Sequence, residues 1–317
     1  VLIGRNEGQR LVLSLASVVA QARRVVYVDS GSTDDSVANA RKAGAEVVAL
    51  DMSQPFTAAR ARNAGFDALM AHGDPTDIVQ FLDGDCIMSA GWLDAASTVM
   101  RDTPDLGLVT GRQAELHRDI TVYNQLSDFE WKRPIGEIDA CGGNMMVRIT
   151  AFKAVGGFNP EIIAAEDDEF CTRLRKAGWR LIRIPEDMSL HDGGLLHFSQ
   201  WWKRAERTGH GFAQVGHLHP EYFVRERQRG WVYGLVLPLV AIFGALVSPL
   251  VPLLVLAAYA MSYLKTTRGL QAEGLPGGEA LRHAGFLTLS KFPNIIGMMR
   301  YHWRRLNHAQ MLIIEYK

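Results

Sequence analysis

Short apolar runs alternate with amphipathic stretches through the first eighty residues. Val1 to Ile3, Val25 to Val28, Glu46 to Leu50 and Ile78 to Leu82 have the length and apolar character of buried strands. Between them, Leu11, Leu15 and Val18 share one face of a helix over 11–20, Ser32 to Asp35 lead into a helix that stops before Gly44, and 58–71 is helical. This alternation predicts an α/β fold: a mostly parallel sheet flanked by helices, with ligands beyond the carboxyl ends of the strands. Asp29 and Asp83 stand at two such ends. From 107 to 184 the pattern is mixed. Strand-like pieces fall at 107–111, 145–148 and 181–184, with a helix over 166–177 that Gly178 terminates.

Beyond Arg229 the pattern changes. No charged residue occurs from Trp231 to Leu264, and Pro238, Pro249 and Pro252 interrupt the run. It is too long for one bilayer span of about 20 residues and short for two. Arg225, Arg227 and Arg229 precede it; Lys265 and Arg268 follow. A single span would carry Arg282, Lys291, Arg300, Arg304 and Arg305 across the membrane, against the positive-inside tendency. A re-entrant hairpin over 231–264 is therefore expected, with Pro249 and Pro252 at its tip. Both its ends, and Glu315-Tyr316-Lys317, would share the compartment of the catalytic residues. A further helix over 281–306, broken by Pro293, ends in aromatic and basic residues, as at a membrane surface. The chain divides on this reading into a catalytic domain, 1–220, and a helical membrane-associated region, 221–317.

Composition narrows the function classes. With 317 residues, 48% of them hydrophobic, the chain can build one large or two modest cores. A formal net charge of +0 offers no basic footprint, so nucleic acid is not an expected partner. Cys86, Cys141 and Cys171 are too scattered for a metal finger or a disulfide framework, which fits a reducing compartment. The chain opens on Val1-Leu2-Ile3, inside a strand pattern and without a signal peptide, so a few residues of the first strand are expected to precede it.

The chemistry concentrates at Asp83-Gly84-Asp85. A buried strand that ends in two carboxylates calls for a cation there. Hard divalent ions such as Mg²⁺ or Mn²⁺ take oxygen ligands and share them with a substrate diphosphate. An ordinary Asp-Gly turn is the plain alternative. A second acidic cluster, Glu166-Asp167-Asp168-Glu169, opens a helix. Capping explains acids there, but four in a row repel one another and raise at least one pKa, which suits a general base.

Further motifs stand at fixed intervals. Arg5-Asn6-Glu7 follows the first strand, and Asp29-Ser30-Gly31-Ser32 the second. Arg60 and Arg62 lie on the helix before the acids, Gly142-Gly143-Asn144 precedes another strand, and Gly156-Gly157-Phe158 comes after it. In this order, with Glu166-Asp167-Asp168-Glu169, the chain over about 1–215 resembles family 2 glycosyltransferases of the GT-A, Rossmann-like fold. The resemblance implies an inverting transfer from a nucleotide-sugar donor, a UDP-sugar among the candidates, with a divalent cation. It implies donor contacts from Arg5, Asn6, Glu7, Asp29, Arg60, Arg62 and Asp83, and metal contacts from Asp83, Asp85 and His191. Asp167 is implied as base, with Glu166 and Asp168 as alternatives. Acceptor contacts fall to Gly143, Asn144, Trp201 and Trp202. Ser30 replaces a commoner second aspartate, and the order of residues around Trp201-Trp202 departs from that of processive members. The apolar end suggests a glycan or lipid-linked acceptor in envelope polysaccharide or glycolipid synthesis, at the cytoplasmic face of the cell's inner membrane.

Other classes fit less well. A nucleotidyltransferase needs a Gly-rich phosphate loop that Gly4-Arg5-Asn6-Glu7-Gly8 supplies poorly, and no G-x-G-x-x-G follows the first strand for a nicotinamide enzyme. An inactive membrane-tethered scaffold would have lost an acid, yet Asp83, Asp85 and Asp167 are present.

Overall fold

The computed structural model describes residues 1–73 and 76–316; Lys317, part of the expected C-terminal compartment marker, lies outside them. Two units cluster separately: 1–120 with 127–194, and 121–126 with 195–317.

The first unit is built in the order β1 (Leu2–Gly4), α1 (Gln9–Val19), β2 (Val26–Asp29), α2 (Ser36–Lys42), β3 (Glu46–Ala49), α3 (Ala58–Ala71), β4 (Ile78–Asp83), β5 (Cys86–Met88), α4 (Trp92–Asp102) and β6 (Leu106–Glu115). Then come α5 (Val122–Trp131), which the two units divide, β7 (Gly136–Glu137), β8 (Met145–Arg148), α6 (Ile149–Ala154), α7 (Glu166–Lys176) and β9 (Arg180–His191). The sheet runs β3-β2-β1-β4-β8-β6-β9-β5, with β7 on β9. Its β3-β2-β1-β4 half is parallel, as the alternation predicts. Its other half is mostly antiparallel, β4 to β8, β8 to β6 and β5 to β9, with β6 and β9 parallel.

Period-2 alternation sorts the strand side chains onto two faces. Val26 and Val28 join one core with Phe66 of α3, Phe152 of α6 and Phe170 of α7. Tyr27, between them, joins the other with Leu11 and Leu15 of α1 and Trp92 of α4. On the first face Phe66 stacks on Phe152 at 4.1 Å and Phe158 on Phe170 at 4.3 Å, so the helix that opens with the acids is anchored by aromatic packing. Strands β6 and β9 are far longer than their apolar runs suggest. They extend past the core to Glu115 and His191, and the two residues pair in register.

The second unit is helical: α8 (Phe198–Leu218), α9 (Val224–Trp231), a π-helical segment (Val232–Val236), α10 (Leu237–Gly244), α11 (Leu250–Ala272), α12 (Gly277–Leu289) and α13 (Lys291–Leu306). Helix α8, which sequence reading groups with the catalytic domain, packs here against α13. The two backbones meet at glycines: a Cβ on Gly209 would fall 2.1 Å from the Asn294 carbonyl oxygen, and one on Gly297 1.9 Å from that of Glu206. The uncharged run forms a helical hairpin, with the Tyr259 hydroxyl donating to the carbonyl of Tyr233 across it. The turn is 245–249. Pro249 caps α11, but Pro252 sits inside its first turn, where a missing N–H costs nothing, rather than at the tip. Leu246 and Val247 at the turn are 84% and 87% exposed. Among the described residues one helix, α11, is long and apolar enough to cross a membrane. The expected helix over 281–306 is two helices that meet at Ser290, with Pro293 in the first turn of α13.

Candidate active site

The site lies in the first unit, at the carboxyl ends of β1, β2 and β4. Loops after β1 and β2 are tied together: the Thr33 amide donates to Asn6 Oδ1 at 2.7 Å, and the Asn6 amide to Ser32 Oγ at 2.9 Å. Asn6 takes φ 55°, a left-handed conformation that asparagine tolerates. Asp29 is buried. Its Oδ2 accepts from the amides of Gly31 and Ser32, at 3.0 and 2.9 Å, and its Oδ1 from the Tyr27 hydroxyl at 3.1 Å. Arg5 lies over the Phe56 ring, and Glu7 pairs with Arg10 at 2.9 Å. Arg60 spends its guanidinium on the carbonyls of Asp51, Gln54 and Pro55, which shapes the loop into α3.

Arg62, two residues further on and on the opposite face of α3, is 2% exposed and bridges the two acidic motifs. Nη2 donates to Asp83 Oδ1 at 2.8 Å and Nη1 to Glu166 Oε1 at 2.7 Å. Burial works against the charge, but Asp83 and Glu166 outweigh it and hold the guanidinium above its ordinary pKa. Gly143 makes room for this bridge, since a Cβ there would fall 2.1 Å from Arg62 Nη2. Asn144 is buried behind it. Its Oδ1 accepts from the Asp83 amide at 2.8 Å, and its Nδ2 donates to Gln113 Oε1 at 2.8 Å and to Cys86 Sγ at 3.1 Å.

The two acids of Asp83-Gly84-Asp85 go to different partners. Asp83 faces Arg62, and its side chain is 33% exposed. Asp85 Oδ2 lies 3.3 Å from His191 Nε2, and the other ring nitrogen, Nδ1, lies 3.4 Å from Glu115 Oε2. Asp85, Cys86 and His191 present donor atoms within 4.8 Å of one another, and Asp83 is outside that group. The pairing of β5 with β9 sets Cys86 opposite His191. Sequence reading passed over Cys86, which adjoins the acids, and Glu115, which no motif marks. Only the register of β6 and β9 brings Glu115 to the imidazole. Trp131 packs edge-on against that imidazole at 4.7 Å.

The acidic cluster resolves into distinct roles. Glu166 takes Arg62, and Glu169 takes Arg173 through two 2.7 Å bonds. Asp167 keeps part of its surface open, but its surroundings desolvate the carboxyl; with the charges of Asp168 and Glu166 this pushes its pKa well up, against the opposing pull of Arg62. Ala165, the residue before the cluster, takes φ 58°, the left-handed strain that clusters at functional sites. Trp201 and Trp202 belong to the second unit, where Trp201 is buried against Phe286 and Phe198.

The site thus gathers carboxylates at the strand ends of an α/β sheet, an acidic helix N-terminus and a carboxylate–imidazole pair. A sequence model of glycosyl transferase family 2 matches residues 1–156, and one described as the N-terminal domain of galactosyltransferase matches residues 121–192. The chain is 28% identical over 229 residues to the pre-mycofactocin glycosyltransferase of Mycobacterium tuberculosis, covering 67% of this chain and 45% of that one. It is 30% identical over 171 residues to the succinoglycan biosynthesis protein ExoA of Rhizobium meliloti, covering 50% of each. The chain thus spans about half the length of these curated relatives. In fold it is similar to the mannosyltransferase PcManGT of Pyrobaculum calidifontis, solved with GDP-mannose and Mn²⁺, at a TM-score of 0.58 and 17% identity over 96% of this chain and 86% of that one. Over residues 1–156 the chain is thus matched by the family 2 glycosyltransferases.

Proposed function

We propose that the protein is an inverting, nucleotide-sugar-dependent glycosyltransferase with Asp167 as its base. The observation that carries this reading is the Arg62 bridge, which ties the donor-side acid Asp83 to the helix that presents Asp167. The acceptor hydroxyl oxygen forms the new bond to the anomeric carbon, the bond from that carbon to the β-phosphate oxygen breaks on the opposite face, and Asp167 takes the hydroxyl proton. A carboxyl held above the usual range is better matched to that proton than an ordinary aspartate. Asp83 and Arg62 orient the donor side, and the loops of Arg5, Asn6, Glu7 and Asp29 frame the nucleotide.

Asp85 and His191 fit a divalent cation. Their oxygen and nitrogen converge, and Glu115 backs the imidazole as carboxylates do behind ligating histidines. The Cys86 thiol suits Mg²⁺ or Mn²⁺ poorly, and it already accepts from Asn144. A cation there supplies charge neutralisation for the leaving diphosphate.

The apolar hairpin points to a lipid-linked or membrane-proximal glycan acceptor. Its shorter arm, Val232–Gly244, reaches only about 20 Å at 1.5 Å per residue, less than a hydrocarbon core of about 30 Å. This length supports a shallow insertion, and the basic residues flanking the run favour entry from the cytoplasmic face. The relative named for succinoglycan biosynthesis supports an envelope polysaccharide setting. Thermal protection by a panel of UDP- and GDP-sugars, with and without Mn²⁺, tests the donor class, and the anomeric configuration of the product tests inversion. Retention of configuration, or no protection by any nucleotide sugar, refutes the reading.

A further inference from the structure

The second unit holds a pocket of about 630 Å³ that the transfer reaction does not use. It is lined by His217 of α8, Val224, Arg227 and Trp231 of α9, Val232, and His302 of α13. Its polar side is built rather than incidental. Arg227 crosses α8 at Gly216, where a Cβ would fall 2.5 Å from its Nε. Nη2 donates to the carbonyls of Pro220 at 2.6 Å and Tyr222 at 3.2 Å, which fixes the guanidinium, while Nε is buried with no hydrogen-bond partner. His302 lies beside Trp231, ring centroids 6.2 Å apart. Burial, then Arg305, His217 and Arg227, push the His302 pKa down, so its charged neighbours are basic. Glu226, the acid of α9, sits toward Lys291. A basic pocket without a lining carboxylate, among the described residues, calls for an anion.

The other wall is apolar. Trp231 and Val232 are the first two residues of the uncharged run, and they remain 37% and 42% exposed. Inorganic phosphate has no use for such a wall, whereas a lipid does. We propose that this pocket binds the phosphate-bearing headgroup of an anionic membrane lipid. Arg227, His217 and His302 donate to the phosphate oxygens, and Trp231 and Val232 lie against the glycerol and acyl portion. The proposal rests on the membrane reading of the hairpin, because the pocket opens where that hairpin would enter the bilayer.

A water-soluble, short-chain phosphatidylglycerol, kept below its micelle concentration, reads the pocket without needing insertion. The full chain should show a saturable fluorescence change that is absent in Trp231→Phe. The change should be lost or weakened at least tenfold in the His217→Gln/His302→Gln variant, which leaves the Arg227 contacts in place. No saturable change in the wild type, an unchanged response in the double variant, or an equal response to inorganic phosphate at the same concentration overturns the lipid assignment. Sedimentation with phosphatidylcholine vesicles, alone or with phosphatidylglycerol, separates the two readings. Binding to neutral vesicles reports the hairpin, and a preference for anionic vesicles that the double variant loses reports the pocket. A preference that survives in that variant is surface charge alone and counts against the pocket.

Discussion

Arg62 Nη2 stands 2.8 Å from Asp83 Oδ1, across 21 residues of sequence, in a setting where the arginine is almost wholly shielded from water. Through Nη1 the same side chain holds Glu166. Removing one partner of a buried ion pair leaves the others uncompensated, at about 3–5 kcal/mol. Arg62→Gln is therefore expected to lower stability by that order and to abolish transfer, whereas Glu166→Gln keeps an acceptor for Nη1 and costs less. Urea unfolding of the two variants gives the comparison. Gly143→Ala should resemble Arg62→Gln, since its methyl would occupy the place of Nη2.

Asp167 links turnover to stability. Its folded pKa is raised, first by desolvation and then by Asp168 and Glu166, so ionising it costs the folded state. The associated stability is full below the ordinary aspartate pKa and is lost as pH rises through the raised value. Asp167→Asn should cut turnover by roughly 10²-fold or more, leave donor affinity near wild type, and raise Tm at neutral pH. Asp168→Asn removes a like charge, so the acid limb of the pH–rate profile should move to lower pH. An unmoved limb, or a fully active Asp167→Asn, assigns the base elsewhere.

How far the sequence exposed this site depended on whether the needed contacts were local. The parallel half of the sheet, the acidic pair after β4 and the acidic start of α7 all announce themselves over a few residues, because period-2 strands and helix N-termini are local patterns. The division of labour inside each motif is not local. Which of Arg60 and Arg62 faces the acids follows from where α3 packs on the sheet: Arg60 turns to its own loop, and Arg62 turns inward. Glu115 and Cys86 join His191 only because β6 and β5 flank β9, a pairing with no sequence signature. Asn144, to which the resemblance gives an acceptor contact, lies buried behind Asp83 at the start of the antiparallel β4–β8 pairing, a position its neighbouring glycines do not signal.

Glu115 offers a test of the donor pair that does not touch a metal ligand. Glu115 also accepts from the Gly193 amide, at 3.2 Å to each carboxylate oxygen, and Glu115→Gln keeps an acceptor for it. The variant should fold, but an amide gives the imidazole weaker and less oriented support. Losing such backing typically lowers metal affinity about 10–100-fold. The Mn²⁺ concentration needed for half-maximal thermal protection should rise by that factor, and Asp85→Ala should remove the protection. Equal Mn²⁺ protection in wild type and Asp85→Ala would show that the ion binds elsewhere.

His210 sets an acid limit on the second unit. It is fully buried on α8, edge-on to Tyr301 at 5.3 Å, and neither ring nitrogen has a hydrogen-bond partner. Burial, together with the charges of Arg304, Arg300, Arg207 and His302, lowers its pKa to about 3. The unfolded chain titrates near the ordinary histidine value of about 6.5, so the unfolded state binds more protons throughout the interval between. Stability is therefore full above the unfolded pKa and drains away as pH falls from there toward the folded one. His210→Phe keeps a ring against Tyr301 and removes both the titration and the unsatisfied nitrogens. Its Tm should equal or exceed wild type at neutral pH, and should fall less on acidification from pH about 6.5 to 4, where the wild-type imidazole resists protonation. Parallel Tm–pH curves for the two proteins would show that some other group governs the acid transition.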